Sequence, residues 1–125
     1  DAEATRVWRV FNTLDSGIAD LRRAEQANSA AFAGLMKRLQ EGQIESSEFQ
    51  IELEELMAEE KTFRTLRLEL LFSRDVVTYI RNEFNYDRGG IPEWFDTTSY
   101  RDIIEACKGY PLPEGTGITP LPTTE

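Results

Sequence analysis

The chain contains no histidine. That absence excludes Ser-His and Cys-His nucleophilic catalysis, His-ligated zinc, and the Glu-x-x-His di-iron sites of ferritin-like bundles. Cysteine is reduced to Cys107. No internal disulfide framework can exist, and a lone thiol near the end reads as a small buried hydrophobe on a late helix. No apolar run approaches the ~18 residues of a membrane span. Basic residues are few, 14 against 23 acids for a net charge of −9, so nucleic acid is not an expected partner and an anionic membrane is a poor one. There is no phosphate loop, nucleophile elbow, metal-ligand spacing or Asp-x-Asp-x-Asp-Gly loop. A carboxylate pair working as a glycosidase is formally open, but straight helices rarely form the necessary cleft. The expectation is a protein that is not an enzyme and uses no cofactor.

What the chain does contain is a long helical pattern. From Phe49 to Phe84, Phe49, Leu56, Phe63, Leu70, Val77 and Phe84 recur every seven residues, with Leu53, Leu66 and Ile80 between them. Spacing of three and four puts these side chains on one stripe of a helix, and neither proline nor glycine interrupts it. Residues 2–41 hold a similar pattern through Ala4, Val7, Phe11, Leu14, Ile18, Leu21, Phe32, Leu35 and Leu39. Gly17 and Gly34 inside it suggest close approach of another backbone. Gly42 is the natural residue after the first helix, and Ser46 or Ser47 the natural cap of the second. So short a connection predicts antiparallel neighbours, with facing residue numbers totalling about 88. Leu68, Leu71, Phe72, Val76 and Tyr79 form a second apolar set on the second helix, wider than one partner helix can cover.

The composition changes after Phe84. Residues 86–90 read as a stop and turn, and Ile91–Phe95 as an apolar connector. Asp96 or Thr97 is expected to cap a final helix ending at Gly109, its apolar face Tyr100, Ile103, Ile104 and Cys107. Four prolines with Gly115 and Gly117 then make an extended tail. The predicted fold is all-α: a long antiparallel two-helix hairpin, a short C-terminal helix and a Pro-rich tail, with residues 1–109 as the domain and 110–125 as tail or linker. The second apolar set is expected to be covered by the C-terminal segment folding back and by a second copy, completing a four-helix bundle.

Three places could carry function. Glu25, Asn28, Glu59 and Glu60 interrupt the seam as a polar layer, either fixing register or clustering carboxylates for a cation or polar ligand, with Arg22 and Arg64 close enough to neutralise it. Residues 41–60 hold eight glutamates and no base. They form either a solvated helix face or a docking patch for a basic partner centred on Glu48, Glu52, Glu55 and Glu59. At the other end Trp8, Arg9, Arg81, Tyr86, Arg88 and Trp94 are expected to gather with other aromatics. They form either a local core or a pocket for a small anion or peptide.

The functional expectation is a non-catalytic helical binding or sensory module acting through a protein partner or a homodimer. The start at Asp1, without Met, fits a processed chain or a domain cut from a larger or membrane-anchored protein. An extracytoplasmic or periplasmic location is therefore favoured over a cytoplasmic one, with any membrane contact made through segments beyond this sequence. The alternative is an acidic inhibitor, immunity protein or chaperone that caps a basic surface.

Overall fold

The computed structural model describes residues 2–85 and 90–122, with the side chains of Phe84 and Asn85 excepted. Its elements are α1 (Ala2–Gln40), α2 (Ser46–Asn85), a 3-10 turn (Glu93–Asp96) and α3 (Tyr100–Lys108). The described residues include no strand, and the protein is all-α. The expected stop and turn around Tyr86 and Arg88 lies outside the described residues. The chain divides into two compact units. A terminal unit comprises Asp1–Ile18 with Leu68–Glu125, and a turn unit comprises Ala19–Arg67.

The turn unit is a two-helix hairpin. Gly42 adopts φ +67°, the left-handed conformation that glycine takes without a steric penalty. It closes a Schellman motif, with Gly42 N–H donating to Leu39 O (3.1 Å) and Gln43 N–H to Arg38 O (2.8 Å). The second helix begins one residue earlier than its serines suggest. Phe49 N–H donates to Glu45 O at 2.9 Å, so Glu45 supplies the first helical carbonyl. Antiparallel pairing follows from Arg38 with Glu52, Asn28 with Leu56 and Glu59, and Glu25 with Arg67. These paired numbers total 84 to 92, bracketing the register expected from the turn. The seam is shallow. Only Leu21, Leu35 and Asn28 are buried, while Phe32, Phe49, Leu53, Leu56, Phe63 and Leu66 are half-buried. Leu39, assigned to the seam by its spacing, is exposed, because no third element shields the last turn of α1 in this unit.

The terminal unit has the third element. Val7, Val10, Leu14, Leu70, Val76, Val77, Ile80, Phe95, Ile103, Ile104 and Cys107 are all buried there. Each fully buried large aliphatic side chain contributes about 1.5–3 kcal/mol by leaving water. Asp15 pairs with Arg74 at 3.0 Å, which again sets the helices antiparallel. α3 packs its expected face inward: Ile103, Ile104 and Cys107 are buried and Tyr100 is half-buried. Its ring rests on Gly17, where an added Cβ would lie 3.3 Å from Tyr100 Cγ and 3.4 Å from Leu70 Cδ2. Gly17 thus admits an aromatic ring instead of another backbone. Gly34 admits nothing, as no atom comes within 4 Å of its missing Cβ.

The cap of α3 corrects the sequence expectation. Asp96 closes the 3-10 turn, and Ser99 caps α3 by accepting from Asp102 N–H at 3.4 Å. Thr97 acts one step removed: it accepts from Ser99 N–H and donates to Asp102 Oδ2, both at 3.3 Å. A hydroxyl therefore relays the second half of a capping box. Gly109 ends the helix at φ −89°, a right-handed conformation open to other residues.

Cys107 Sγ–H donates to Ser73 O at 3.7 Å, and burial pushes the thiol up from 9.0 to about 12, with the Ser73 side-chain hydroxyl working the other way. Next to it, the Glu69 carboxylate raises the Lys108 ammonium above its ordinary range. Both groups hold a proton in the folded state that the unfolded chain releases sooner. Their stabilisation is complete below the unfolded values and is lost as pH rises through the folded ones.

Two outcomes follow. In urea unfolding, Gly34→Ala should stabilise by about 1 kcal/mol, because it removes glycine from an exposed helix interior with space to spare. Gly42→Ala should destabilise by about 1 kcal/mol through left-handed strain. The native Cys107 thiol should react with iodoacetamide at pH 8 about a thousandfold more slowly than an unperturbed cysteine, on ionisation alone, and at the ordinary rate in denaturant. Between pH 9 and 12 stability should fall, and fall less steeply in Cys107→Ala.

Candidate functional site

The polar layer belongs to the turn unit. Asn28 is only 6% exposed. Its Nδ2 donates to Leu56 O at 3.2 Å and to Glu59 Oε1 at 3.3 Å, tying α1 to the backbone and a side chain of α2. The other carboxylates have their own cations: Glu25 pairs with Arg67 at 2.8 Å and Glu60 with Arg64 at 2.9 Å. Arg64 was the neutralising residue expected from the sequence, but Arg67 takes the place foreseen for Arg22. Glu59 and Glu60 are exposed, so the buried member of the layer is Asn28 alone. Glu25, Asn28, Glu60, Arg64 and Arg67, with Ser29, Phe32 and Phe63, line an open groove of about 500 Å³. With each carboxylate turned to a separate partner, the layer presents paired charges along a seam. An amide in an apolar stripe fixes register, since a one-turn slip would leave it buried without its acceptors.

The acidic run lies in the same unit. Glu48 and Glu55 are exposed, Glu52 is half-buried beside Arg38, and Glu59 is the acceptor for Asn28. A second open groove, lined by Leu35, Arg38, Glu52, Glu55 and Leu56 among others, follows this edge. The run holds no base in sequence, yet α1 and the next turns of α2 supply seven: Arg22, Arg23, Lys37, Arg38, Lys61, Arg64 and Arg67. Counted by unit, the turn unit carries ten acids against seven bases, and the terminal unit thirteen against seven. Net charge thus gathers in the terminal unit. The eight glutamates of residues 41–60 read along the chain as a concentration of charge, but the bases of α1 and the next turns of α2 lie in the same unit.

Of the residues expected to gather at the aromatic end, Trp8, Arg9, Arg81 and Trp94 are among the described residues, and all four sit in the terminal unit. Trp8 is 64% exposed and Arg9 is exposed, both on the outer side of α1. Arg81 instead stacks over Phe11, its Cζ 5.3 Å from the ring centroid, and Arg74 lies over the same ring at 5.6 Å. Trp94 occupies the 3-10 turn, half-buried, with its ring 4.7 Å from that of Phe95. Tyr86 and Arg88 lie outside the described residues.

Two residues expected at this end, Phe95 among the aromatics and Arg6 at their margin, anchor it: Phe95 is completely buried, and Arg6 ties the 3-10 turn to α1. Arg6 Nε donates to Asp96 Oδ1 at 2.7 Å and Nη2 to Pro92 O at 3.0 Å. The partner of Arg6, 90 residues away in sequence, left no local signal.

Among the described residues the grooves are open, and their charged groups are mostly paired, Glu25 with Arg67, Glu60 with Arg64 and Glu52 with Arg38, while Glu55 and Asp75 carry no ion pair. What stays unsatisfied is apolar: Met36, Leu39, Ile51 and Met57 are exposed in the turn unit, and Trp8, Leu68 and Leu71 in the terminal unit.

Removing the Asn28 amide separates stability from specificity. Asn28→Ala should destabilise by about 1–2 kcal/mol, for two lost hydrogen bonds of which one has a charged acceptor. Asn28→Leu should be neutral or stabilising, because it replaces a buried polar group by an apolar one of similar size. Urea denaturation of both variants provides the comparison. A loss on Asn28→Leu larger than on Asn28→Ala would mean that the amide holds up more of the turn unit than its two bonds.

No family model, curated protein or solved structure matches this chain.

Proposed function

We propose that the chain is a non-catalytic helical interaction module that works by binding another protein surface, a second copy of itself included. The observation supporting this reading is the set of large apolar side chains left in water on otherwise charged helices. Ile51 and Met57 are 59% and 55% exposed on α2 in the turn unit, and Leu71 is 47% exposed on α2 in the terminal unit. Exposed apolar groups of this size, in a rim of charge, are typical of association surfaces, and methionine adapts readily to a partner. The open grooves, with Glu25, Glu52 and Glu60 each held by an arginine, favour binding over turnover. A narrower form of the proposal, an extracytoplasmic sensory domain, rests on the sequence reading alone.

A second reading, an acidic cap for a basic partner, is favoured by Glu48 and Glu55, which are exposed and carry no ion pair among the described residues. One experiment addresses both. Photo-crosslinkable residues are placed at Met57 and Leu71 of the chain in its native cells, and purified protein is measured by light scattering over a concentration series. Self-association should raise the mass above 14.3 kDa with concentration and give a crosslinked dimer. A different partner should give a discrete heavier adduct with a strictly monomeric mass. No adduct from either position would sink the apolar-surface reading. Glu48→Lys with Glu55→Lys should leave the adducts unchanged. Their loss would transfer the proposal to the acidic cap.

A further inference from the structure

Two contacts seat α3 in the terminal unit. On α1, Gly17 lacks the Cβ that would stand 3.3 Å from Tyr100 Cγ and 3.4 Å from Leu70 Cδ2, so the Tyr100 ring rests against the helix backbone. On α2, the residue before Leu70 is Glu69, and its carboxylate takes the Lys108 ammonium at the other end of α3. A Gly-Ile pair on α1 and a Glu-Leu pair on α2 thus receive the aromatic and the lysine of a third helix. The turn unit has the same pairs without the helix. Gly34-Leu35 on α1 and Glu55-Leu56 on α2 line one open groove of about 500 Å³. What differs is the cover. Gly17 and Leu70 are buried, whereas Gly34 is exposed and Leu56 half-buried. The missing Cβ of Gly34 meets nothing within 4 Å. Glu69 holds Lys108, whereas Glu55 is exposed and carries no ion pair among the described residues. Glycine in an exposed helix interior costs about 1 kcal/mol against alanine, and no contact within the turn unit uses Gly34.

We propose that the groove at Gly34 is the docking site for a basic amphipathic helix of a partner protein. That helix sets an aromatic side chain over Gly34 and a lysine or arginine against Glu55, as α3 does at Gly17 and Glu69. The charges of the groove select its sign. Three carboxylates, Glu52, Glu55 and Glu59, face one guanidinium, Arg38, which Glu52 already holds. Glu59 accepts from Asn28, so Glu55 is the carboxylate left for a partner. The surplus of negative charge attracts a basic helix and repels an acidic one. The floor selects the apolar stripe. Leu35 is buried and Leu56 is half in water, and a bulky side chain laid over Gly34 completes their cover as Tyr100 does for Leu70. This docking rests on the second reading above, a basic partner met by exposed glutamates, and narrows that partner to a helix. Neither Met57 nor Leu71 lines the groove, so failure here leaves the adducts from those positions untouched.

The probe is a synthetic helix that carries the tyrosine, isoleucines and lysine of α3 at their native spacing in an alanine-rich host. It is titrated into the full chain while the amide resonances of Gly34, Leu35, Glu55 and Leu56 are followed by NMR. These amides should shift together and saturate. Gly34→Leu fills the open space, and Ala31→Leu narrows the same groove one turn away. Each should retain the parent's helicity and weaken binding about tenfold or more. A second probe, with glutamate in place of the lysine, should bind the parent about tenfold more weakly and recover on Glu55→Lys. General attraction between a basic peptide and an acidic protein gives no such recovery. The absence of a saturable shift at these amides would overturn the proposal, as would a glutamate probe that binds the parent as well as the lysine probe. Equal affinity of the parent, Gly34→Leu and Ala31→Leu would overturn the groove and leave a cap that works by charge alone.

Discussion

A helix can cover only one stripe of its neighbour, and both units of this protein are consequences of that limit. In the turn unit α1 and α2 have only each other. Their seam aromatics and leucines, Phe32, Phe49, Leu56 and Phe63 among them, stay half in water, and the apolar side chains beyond the seam stay exposed. In the terminal unit α3 and the 3-10 turn add a third layer. There Phe95, Ile103, Ile104 and Cys107 close the gap that two helices leave, and the burial becomes complete. The same kind of heptad stripe therefore gives a shallow seam in one unit and a closed core in the other. The difference lies in the number of elements around it, since close packing needs atoms on every side.

Polar interactions follow the same division. Where the core is closed, a few long-range contacts fix the added layer: Arg6 to Asp96 and Pro92, Lys108 to Glu69, and the Cys107 thiol to Ser73 O. Where it is shallow, a buried amide and flanking pairs set the register instead. Asn28 reaches the backbone of α2 inside the seam, and Glu25–Arg67 and Glu60–Arg64 guard its margin. Exposed ion pairs of this kind contribute little each, about 0–1 kcal/mol. Their effect on function is to consume charge. The carboxylates available to an outside partner are fewer than the acidic run suggests, and this shifts the functional argument toward the exposed apolar side chains.

The local features of the fold were legible in the sequence because local rules decide them. Period and composition specified two long helices, Gly42 specified the turn that joins them, and the turn specified the antiparallel register within a few residues. The inner face of α3 was equally readable from the spacing of Tyr100, Ile103, Ile104 and Cys107. Its cap was not: Asp96, Thr97 and Ser99 all suit a cap chemically, and the backbone of the 3-10 turn selects among them. The candidate site was the least legible part. Trp8, Arg9 and Trp94 share a chemistry but not a local setting: helix phase turns Trp8 and Arg9 outward, and Trp94, in the 3-10 turn, has a ring partner next in sequence.

What the sequence determined by itself was therefore the helices, their lengths, their turn and the identity of the seam stripe. Each depends on contacts within a few residues, or on a period repeated many times. What only the tertiary structure decided was the meaning of charges and aromatics far apart in the chain. Arg38 against Glu52, Arg6 against Asp96, Tyr100 on Gly17 and the tail beside Tyr79 each join residues whose proximity no local pattern encodes. Whether a carboxylate is paired or an aromatic is covered depends on what the fold brings to it from elsewhere.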